Sequence, residues 1–304
     1  MDANLMDLRP KLLITGASGF TGQHACRHFL KAGFEVIAVA RNTTFNNHFQ
    51  TEYCDLTNKE DVKTLVKKVK PQYLLHLAGQ NHVGQSWDDP ISSIETNVMS
   101  TLYLIEALRN ENPHCKVIIV GSALQFNPNQ SSTLMHPYSL SKTLQVVIAQ
   151  SWEVLYNMPI VIAKPTNLIG PGFSNGVCAI FAKRLVDMEM NRVEKIIQVN
   201  NLDAERDFLD VRDAVKAYEL ILIKGISGET YDISSGKSYS LREIINRLRF
   251  LTTIDFKINY QLSDSKEEKV KNTPIKALNL GWKPTIPLEI SLEDTLNFYR
   301  KNNG

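Results

Sequence analysis

Five short runs, KLLIT (11–15), EVIAVA (35–40), YLLHLA (73–78), KVIIV (116–120) and IVIAK (160–164), are apolar on both faces and are separated by longer amphipathic stretches. A strand with two apolar faces must be covered on both sides, which is the situation of a parallel sheet between two helix layers. Helices are expected near 20–32, 58–69, 91–111 and 138–156, with Asn58 capping the second and Pro137 opening the fourth. This βαβ rhythm predicts an α/β fold with a doubly wound parallel sheet. After about residue 165 the rhythm changes. Gly and Pro cluster in GPGFSNG (170–176), and shorter strands are expected at KIIQV (195–199), YDIS (231–234) and FKINY (256–260). Helices are expected near 177–190, 211–223, 240–251 and 289–301, so the second half reads as a smaller α/β C-terminal lobe.

Several function classes are disfavoured by composition. A net charge of +2 over 304 residues offers no broad basic surface for nucleic acid. The densest charge run, KEEKVK (266–271), is mixed in sign and reads as a solvated face. Cys26, Cys54, Cys115 and Cys178 form no CxxC, which argues against structural zinc or a disulfide framework and fits a reducing cytoplasm. The start, MDANLMDLRPKLLITG, carries early acids and a short apolar stretch, unlike a secretory signal. No apolar segment approaches the ~18–20 residues that span a bilayer. No metal site is expected.

TGASGFTG (15–22) follows the first strand and opens the first helix, with Gly16, Gly19 and Gly22 spaced GxxGxxG. Glycines let the backbone approach a pyrophosphate, and the helix N-terminus supplies positive potential, as in a Rossmann dinucleotide site. The second strand ends ARN (40–42). An acid there would hydrogen-bond the ribose of NAD; Arg41 instead offers a cation to a 2′-phosphate and favours NADP(H). NAD(H) stays open, because Arg41 could also stack on adenine or point into water. Asp55, in YCDLT (53–57), could reach the adenine edge or simply begin a turn.

The run KVIIV ends in GSALQF (121–126), which presents one hydroxyl, Ser122, at the carboxyl edge of the sheet. HPYSLSK (136–142) then places Tyr138 and Lys142 four apart, on one helix face. An ammonium beside a phenol lowers its pKa and favours phenolate as a proton leaves. Ser122 and Tyr138 can therefore converge on one substrate oxygen.

TGASGFTG, HLAG (76–79), GSALQF, the Tyr138/Lys142 pair and RDFLDVRDAV (206–215), in this order, resemble the extended short-chain dehydrogenase/reductase superfamily, also known as the NAD-dependent epimerase/dehydratase superfamily, and its nucleotide-sugar branch. The resemblance runs through GWKPTIPLEISLEDTLNFYR (281–300). FAKRLVDMEM (181–190) and VNNLDAERDFLDVRDAVKAY (199–218) make it most similar to GDP-4-keto-6-deoxy-mannose reductases. The resemblance implies a dinucleotide-binding domain over 1–165, also receiving parts of 205–233, and a nucleotide-sugar-binding lobe over 166–304. Ser122, Tyr138 and Lys142 match the catalytic triad. Gly16, Ser18, Gly19, Phe20, Thr21 and Gly22 match the phosphate loop. Asp55 and Leu56 match the adenine side of the cofactor, as Arg41 does by position. Leu77, Ala78, Gly79 and Gln80 match the strand end running along it, and Pro165 a further contact. Val83 and Ser86 lie where the sugar is contacted; Asn167 and Arg206 match residues holding the pyrophosphate. Asn97 matches a structural asparagine near the lysine. Asn167 and His82 could equally be loop residues, and Arg206 could pair with Asp207 or Asp210.

In the branch's 4,6-dehydratases an acid follows the triad hydroxyl, because water elimination needs a base and an acid. Here Ala123 and Leu124 occupy those places, leaving hydride transfer at a keto carbon, C4 of a nucleotide-linked 6-deoxyhexose. The Arg-Pro-x-Glu segment of many relatives is replaced by LSDSKEEKVKNTP (262–274), in which Lys266 could substitute for the arginine, so the nucleotide stays open between GDP, UDP and others. A 4-epimerase or C5-tailoring enzyme is the alternative reading, and a non-catalytic NADP-binding regulator a second. The resemblance also implies a homodimer through the helices near 91–111 and 138–156.

Overall fold

The computed structural model describes residues 9–41, 49–260 and 273–303; the KEEKVK run and Lys266 lie outside them. In chain order the first half holds β1 (Lys11–Thr15), α1 (Phe20–Lys31), β2 (Glu35–Ala40), β3 (Gln50–Tyr53), α2 (Lys59–Val69), β4 (Tyr73–His76), α3 (Val83–Asp88), α4 (Pro90–Ile94), α5 (Ser100–Glu111), β5 (Lys116–Val120), α6 (Pro137–Tyr156) and β6 (Ile160–Pro165). The second half holds β7 (Asn167–Ile169), α7 (Val177–Glu189), β8 (Ile196–Val199), β9 (Glu205–Asp210), α8 (Val211–Lys224), β10 (Thr230–Ile233), β11 (Ser238–Ser240), α9 (Leu241–Arg249), β12 (Lys257–Tyr260), α10 (Ile275–Asn279) and α11 (Leu288–Asn303).

The principal sheet has the order β10-β6-β5-β4-β1-β2-β3. From β6 to β3 its neighbours are parallel. That is the doubly wound order, with its reversal between β1 and β4. Leu12, Leu13 and Ile14 are consecutive and all buried, so β1 is covered on both faces as its apolar run requires. Asn58 does cap α2: its Oδ1 accepts the Glu60 and Asp61 N–H groups at 3.0 and 3.3 Å. Glu60 and Asp61 in the first turn, with Lys67 and Lys68 in the last, complement the helix dipole. Pro137 opens α6, where its missing N–H costs nothing.

The stretch expected as one helix over 91–111 is helical throughout, with a π-helical turn within it. Asp89 caps α4, a π-helical turn spans Glu95–Met99, and only then does α5 begin. α3 is a helix the sequence pattern does not announce, because six residues are too few to show a helical period; His82 caps it by accepting the Gln85 N–H at 3.0 Å. β7, β9 and β11 form a small sheet in the order β11-β9-β7 that apolar periodicity does not reveal, since four of the six residues of ERDFLD are charged. YDIS joins the edge of the principal sheet as β10.

The chain divides into two compact units, 1–164 with 218–231, and 165–217 with 232–304. Within the second, a buried carboxylate ties the C-terminal segment to the first turn of α8. Asp213 accepts the Thr285 and Ile286 N–H groups, both at 2.7 Å, and the Thr285 hydroxyl at 2.8 Å. The Trp282 indole donates to the Asp213 carbonyl at 2.9 Å. Burial pushes the carboxyl upward, and these donors outweigh it, holding Asp213 below its ordinary value. Asp213→Ala strands the donors in the interior. It is expected to lower stability by about 3 kcal/mol, seen as a reduced urea midpoint, and Asp213→Asn, which keeps an acceptor, to cost less.

Candidate active site

β1 and β4 are paired so that Thr15 lies opposite His76, at the carboxyl ends of the strands where the order reverses. Gly16 follows in the left-handed region at φ +67°, and a Cβ there would fall 2.7 Å from the Ala78 nitrogen. A Cβ on Gly22 would meet the Gly16 carbonyl oxygen at 2.1 Å, so the first turn of α1 rests directly on the loop. Gly19 caps α1 without a side-chain hydrogen bond, and the first turn holds no acid. The positive end of α1 is thus not neutralised by its own side chains. Ser18 and Gly19 are exposed, and Phe20 and Thr21 half-buried.

Arg41 is exposed just past the end of β2. The Asp55 carboxylate accepts the Thr57 N–H at 3.0 Å and the Thr57 hydroxyl at 2.8 Å, so it does close a turn. Those bonds, with a smaller attraction from Arg41, hold it below the usual carboxylate range. Leu56 packs against the core. Along the end of β4, Leu77 and Ala78 are half-buried and Gly79 is exposed. Asn97, in the π-helical turn, clamps Gln80 by accepting its N–H at 2.8 Å and donating to its carbonyl at 3.1 Å. Asn97 also donates to the Ser141 hydroxyl at 2.8 Å, beside Lys142. The Gln80 side chain donates to the His82 carbonyl at 2.6 Å, while its buried Oε1 accepts nothing.

Ser122 and Tyr138 do meet, and Lys142 stands one turn further along α6. Tyr138 and Lys142 are each 7% exposed and Ser122 8%, all within the first unit. Ser122 hydrogen-bonds the Tyr138 phenol, and its Oγ accepts the Leu124 N–H at 3.1 Å. The rest of GSALQF braces the helix. The Gln125 amide donates to the Lys142 carbonyl at 2.9 Å, and the Phe126 N–H to the Thr143 hydroxyl at 3.1 Å. His136 caps α6 by accepting the Ser139 N–H at 2.9 Å. The expectation that Lys142 lowers the Tyr138 pKa needs correcting for the protein alone. Burial dominates and pushes the phenol up, and the Ser122 hydrogen bond opposes it only in part. The phenol therefore keeps its proton at neutral pH.

Ser86, expected among the sugar contacts, is a correction. It is fully buried, its hydroxyl donates to the Val83 carbonyl at 2.7 Å, and it accepts the Tyr138 N–H at 3.1 Å. Its oxygen is used to seat the first turn of α6. Val83, at the start of α3, is half-buried. Pro165 ends β6 and is buried. In the second unit Asn167 lies in β7 and donates to the Asp207 carbonyl at 3.0 Å, so it is not a loop residue. Arg206 lies in β9 opposite Tyr239 and donates to the Glu205 carbonyl at 2.9 Å. The acids once considered as its partners are engaged: Asp207 accepts from Thr166 and Ser235, and Asp210 from Arg212 and Ser291.

A buried polar chain behind the lysine was not anticipated. Its one visible signal was a histidine closing the apolar run YLLH. The Thr101 hydroxyl donates to the Asn97 carbonyl at 2.8 Å and accepts the Gln145 amide at 2.8 Å. With its proton spent, Thr101 must accept from His76 Nε2, which lies 2.9 Å away. His76 Nδ1 then accepts the Thr15 hydroxyl at 2.7 Å, and Thr15 Oγ1 accepts the Ala78 N–H at 3.2 Å. Every member is satisfied only while His76 is neutral. Burial, aided by repulsion from Lys142, drives its pKa down to about 3.

Residues 12–234 match the NAD dependent epimerase/dehydratase family. The chain is 26% identical over 302 residues to GDP-6-deoxy-D-mannose reductase of Pseudomonas aeruginosa, covering 94% of this chain and 96% of that protein. The solved structure of RMD from Pseudomonas aeruginosa complexed with NADPH superposes with a TM-score of 0.82 at 25% identity, over 96% of this chain and 99% of that one. UDP-glucose 4-epimerase of Thermotoga maritima, solved with UDP-glucose, has the same fold, with a TM-score of 0.84 at 24% identity, over 96% of this chain and 99% of that one.

His76 sets an acid limit on stability. Between its folded pKa of about 3 and its ordinary 6.5, the unfolded chain binds a proton that the folded chain refuses. Stability contributed by this group is therefore lost as pH falls through 6.5 toward 3. His76→Gln is expected to shrink the stability difference between pH 7 and pH 4.5 by about 2–3 kcal/mol, measured by urea unfolding at the two pH values.

Proposed function

We propose that this chain, which belongs to the NAD dependent epimerase/dehydratase family and is an NAD(P)-dependent nucleotide-sugar enzyme, is a reductase of a nucleotide-linked 4-keto-6-deoxyhexose. One observation carries this reading. Ser122, Tyr138 and Lys142 are all nearly buried in the first unit, and the residues that follow Ser122, Ala123 and Leu124, cannot supply the acid and base that elimination needs.

The residues fit a dinucleotide. The N-terminus of α1 has neither a capping side chain nor an acid, and the buried Gln80 Oε1 is an acceptor without a donor. Gly16, Gly19 and Gly22, with Ser18, Phe20 and Thr21, would hold the pyrophosphate. Arg41 would meet a 2′-phosphate, Asp55 and Leu56 the adenine side, and Leu77, Ala78, Gly79 and Gln80 the nicotinamide half, with Pro165 beyond. When bound, the reduced nicotinamide supplies hydride to the keto carbon. Tyr138, protonated at neutral pH, supplies the proton to the carbonyl oxygen, so that one C–H and one O–H bond form as the C=O π bond breaks. Ser122 would orient that oxygen through the hydroxyl that lies beside the phenol. Lys142 offers positive charge close to the phenolate left behind. Val83, Asn167 and Arg206 are proposed substrate contacts, and the guanidinium fork of Arg206 suits a diphosphate.

The Pseudomonas aeruginosa relative makes a GDP-linked 4-keto-6-deoxymannose the first substrate to test and UDP-linked counterparts the second. Absorbance at 340 nm should fall in proportion to product, faster with NADPH than with NADH. Product without net oxidation would identify an epimerase instead. Tyr138→Phe is expected to lower kcat by about 10²–10⁴ while NADPH still binds, read by nicotinamide fluorescence. Unchanged turnover in that variant would end the reductase reading.

A second copy of the chain is the proposed partner of α6, whose Leu144, Val147, Val154 and Leu155 are exposed at helical spacing, the last two 77% and 67%. Replacing Val154 and Leu155 together by Glu should convert a dimer to a monomer in light scattering, with secondary structure retained. A monomeric parent would dismiss the dimer.

A further inference from the structure

The Lys142 ammonium is held by two neutral oxygens. Its Nζ donates to the Val120 carbonyl at 2.7 Å and to Gln145 Oε1. An ammonium can only donate, so with Lys142 charged this contact sets the amide: Oε1 faces Lys142, and Nε2 faces Thr101 Oγ1 at 2.8 Å. Gln145 is fully buried, as are Thr101 and His76. The amide therefore cannot turn without breaking the chain that runs through Thr101 and His76 to Thr15, at the mouth of the phosphate loop.

We propose that Gln145 is a positioning residue for Lys142: it aims the amino group, sustains its charge without a carboxylate, and couples it through Thr101 and His76 to the strand end that carries the phosphate loop. An amide neither gains nor loses a proton near neutrality, so this chain holds the lysine and does not conduct protons away from it. Two of the three ammonium hydrogens are committed by the protein, which sets the direction of the third.

The charge consequences follow from what faces the lysine. His76 faces it from β4 and is neutral; Tyr138 lies on its own helix and is protonated; α5 contributes Thr101, which has no charge. Among the described residues no carboxylate hydrogen-bonds it. Burial accordingly brings Lys142 from its ordinary value down to about 7. Gln145 thus keeps the ammonium near the edge of its stability. A carboxylate in the same place would lock it on, and an apolar side chain would let it discharge.

The test follows the lysine itself, in the full chain labelled with ¹³C at the lysine ε-carbon, the Lys142 signal being assigned by its loss in Lys142→Met. Gln145→Met keeps the volume and removes the acceptor; the Lys142 midpoint should fall by about one pH unit or more. Gln145→Glu should raise it by about one to three units. If Gln145→Met does not fold, Thr101→Val, which unlocks the amide, should lower the midpoint in the same direction. A midpoint within about 0.3 pH unit of the parent's in a folded Gln145→Met or Thr101→Val protein overturns the proposal. The inference deepens the reductase site and takes Lys142 as its lysine. Absence of turnover with any sugar nucleotide would sink the reductase reading alone, and an unmoved midpoint would sink the Gln145 assignment alone.

Discussion

The pairing of β1 with β4 is the constraint on which the site depends. Parallel register sets Thr15 against His76. At the next residue, Gly16, a Cβ would fall 2.7 Å from the Ala78 nitrogen where the chain continues past β4, so no side chain fits there. One backbone approach therefore places two things at once. In front it leaves the glycine loop and the unneutralised end of α1. Behind, it leaves a histidine whose two nitrogens must find partners in a closed interior. The front is shaped for an anion, and the back is filled by hydroxyls and one amide.

Charge is then distributed by burial more than by pairing. Ion pairs such as Arg212 with Asp210 and Arg300 with Glu189 occur in the second unit. Among the described residues, Lys142 donates to a carbonyl and an amide, with a hydroxyl and a neutral imidazole behind the amide. Desolvation acts in opposite senses on the two neighbours, raising the phenol and lowering the ammonium, so both move toward their uncharged forms. A site poised in this way is sensitive to any anion brought near it, because an added negative group stabilises the ammonium most where nothing else does.

The sheet and most of its helices are legible in the sequence because apolar runs of two faces and amphipathic helices carry strong periods, as KVIIV and the Asn58-capped helix illustrate. Ser122, Tyr138 and Lys142 are legible because position after a strand and spacing on a helix are both visible in one dimension. α3 and the β11-β9-β7 sheet are not, since their elements are short or charged and owe their form to neighbours distant in sequence. The use of Ser86 is hidden for a related reason: a hydroxyl in QNHVGQSW looks available until Tyr138, 52 residues later, is seen to donate to it. Gln145 and Thr101 were invisible because a polar residue on a long helix signals nothing until its partners are known.

GSALQF shows how a loop beside reactive groups can be polar and still carry no acid or base. Its polar atoms are turned toward α6: Gln125 to the Lys142 carbonyl, the Phe126 N–H to Thr143, and Ser122 to the phenol. Ala123 and Leu124 are left at the places where elimination chemistry would need titrating groups. The segment thus fixes the helix on which the proposed donor and its ammonium stand and adds one hydroxyl to them. As proposed, a site assembled in this way would protonate an oxygen, and neither Ala123 nor Leu124 offers a second group for removing a proton from carbon. On the proposed reductase reading, that asymmetry, more than Ser122, Tyr138 and Lys142 themselves, is what would separate reduction from dehydration.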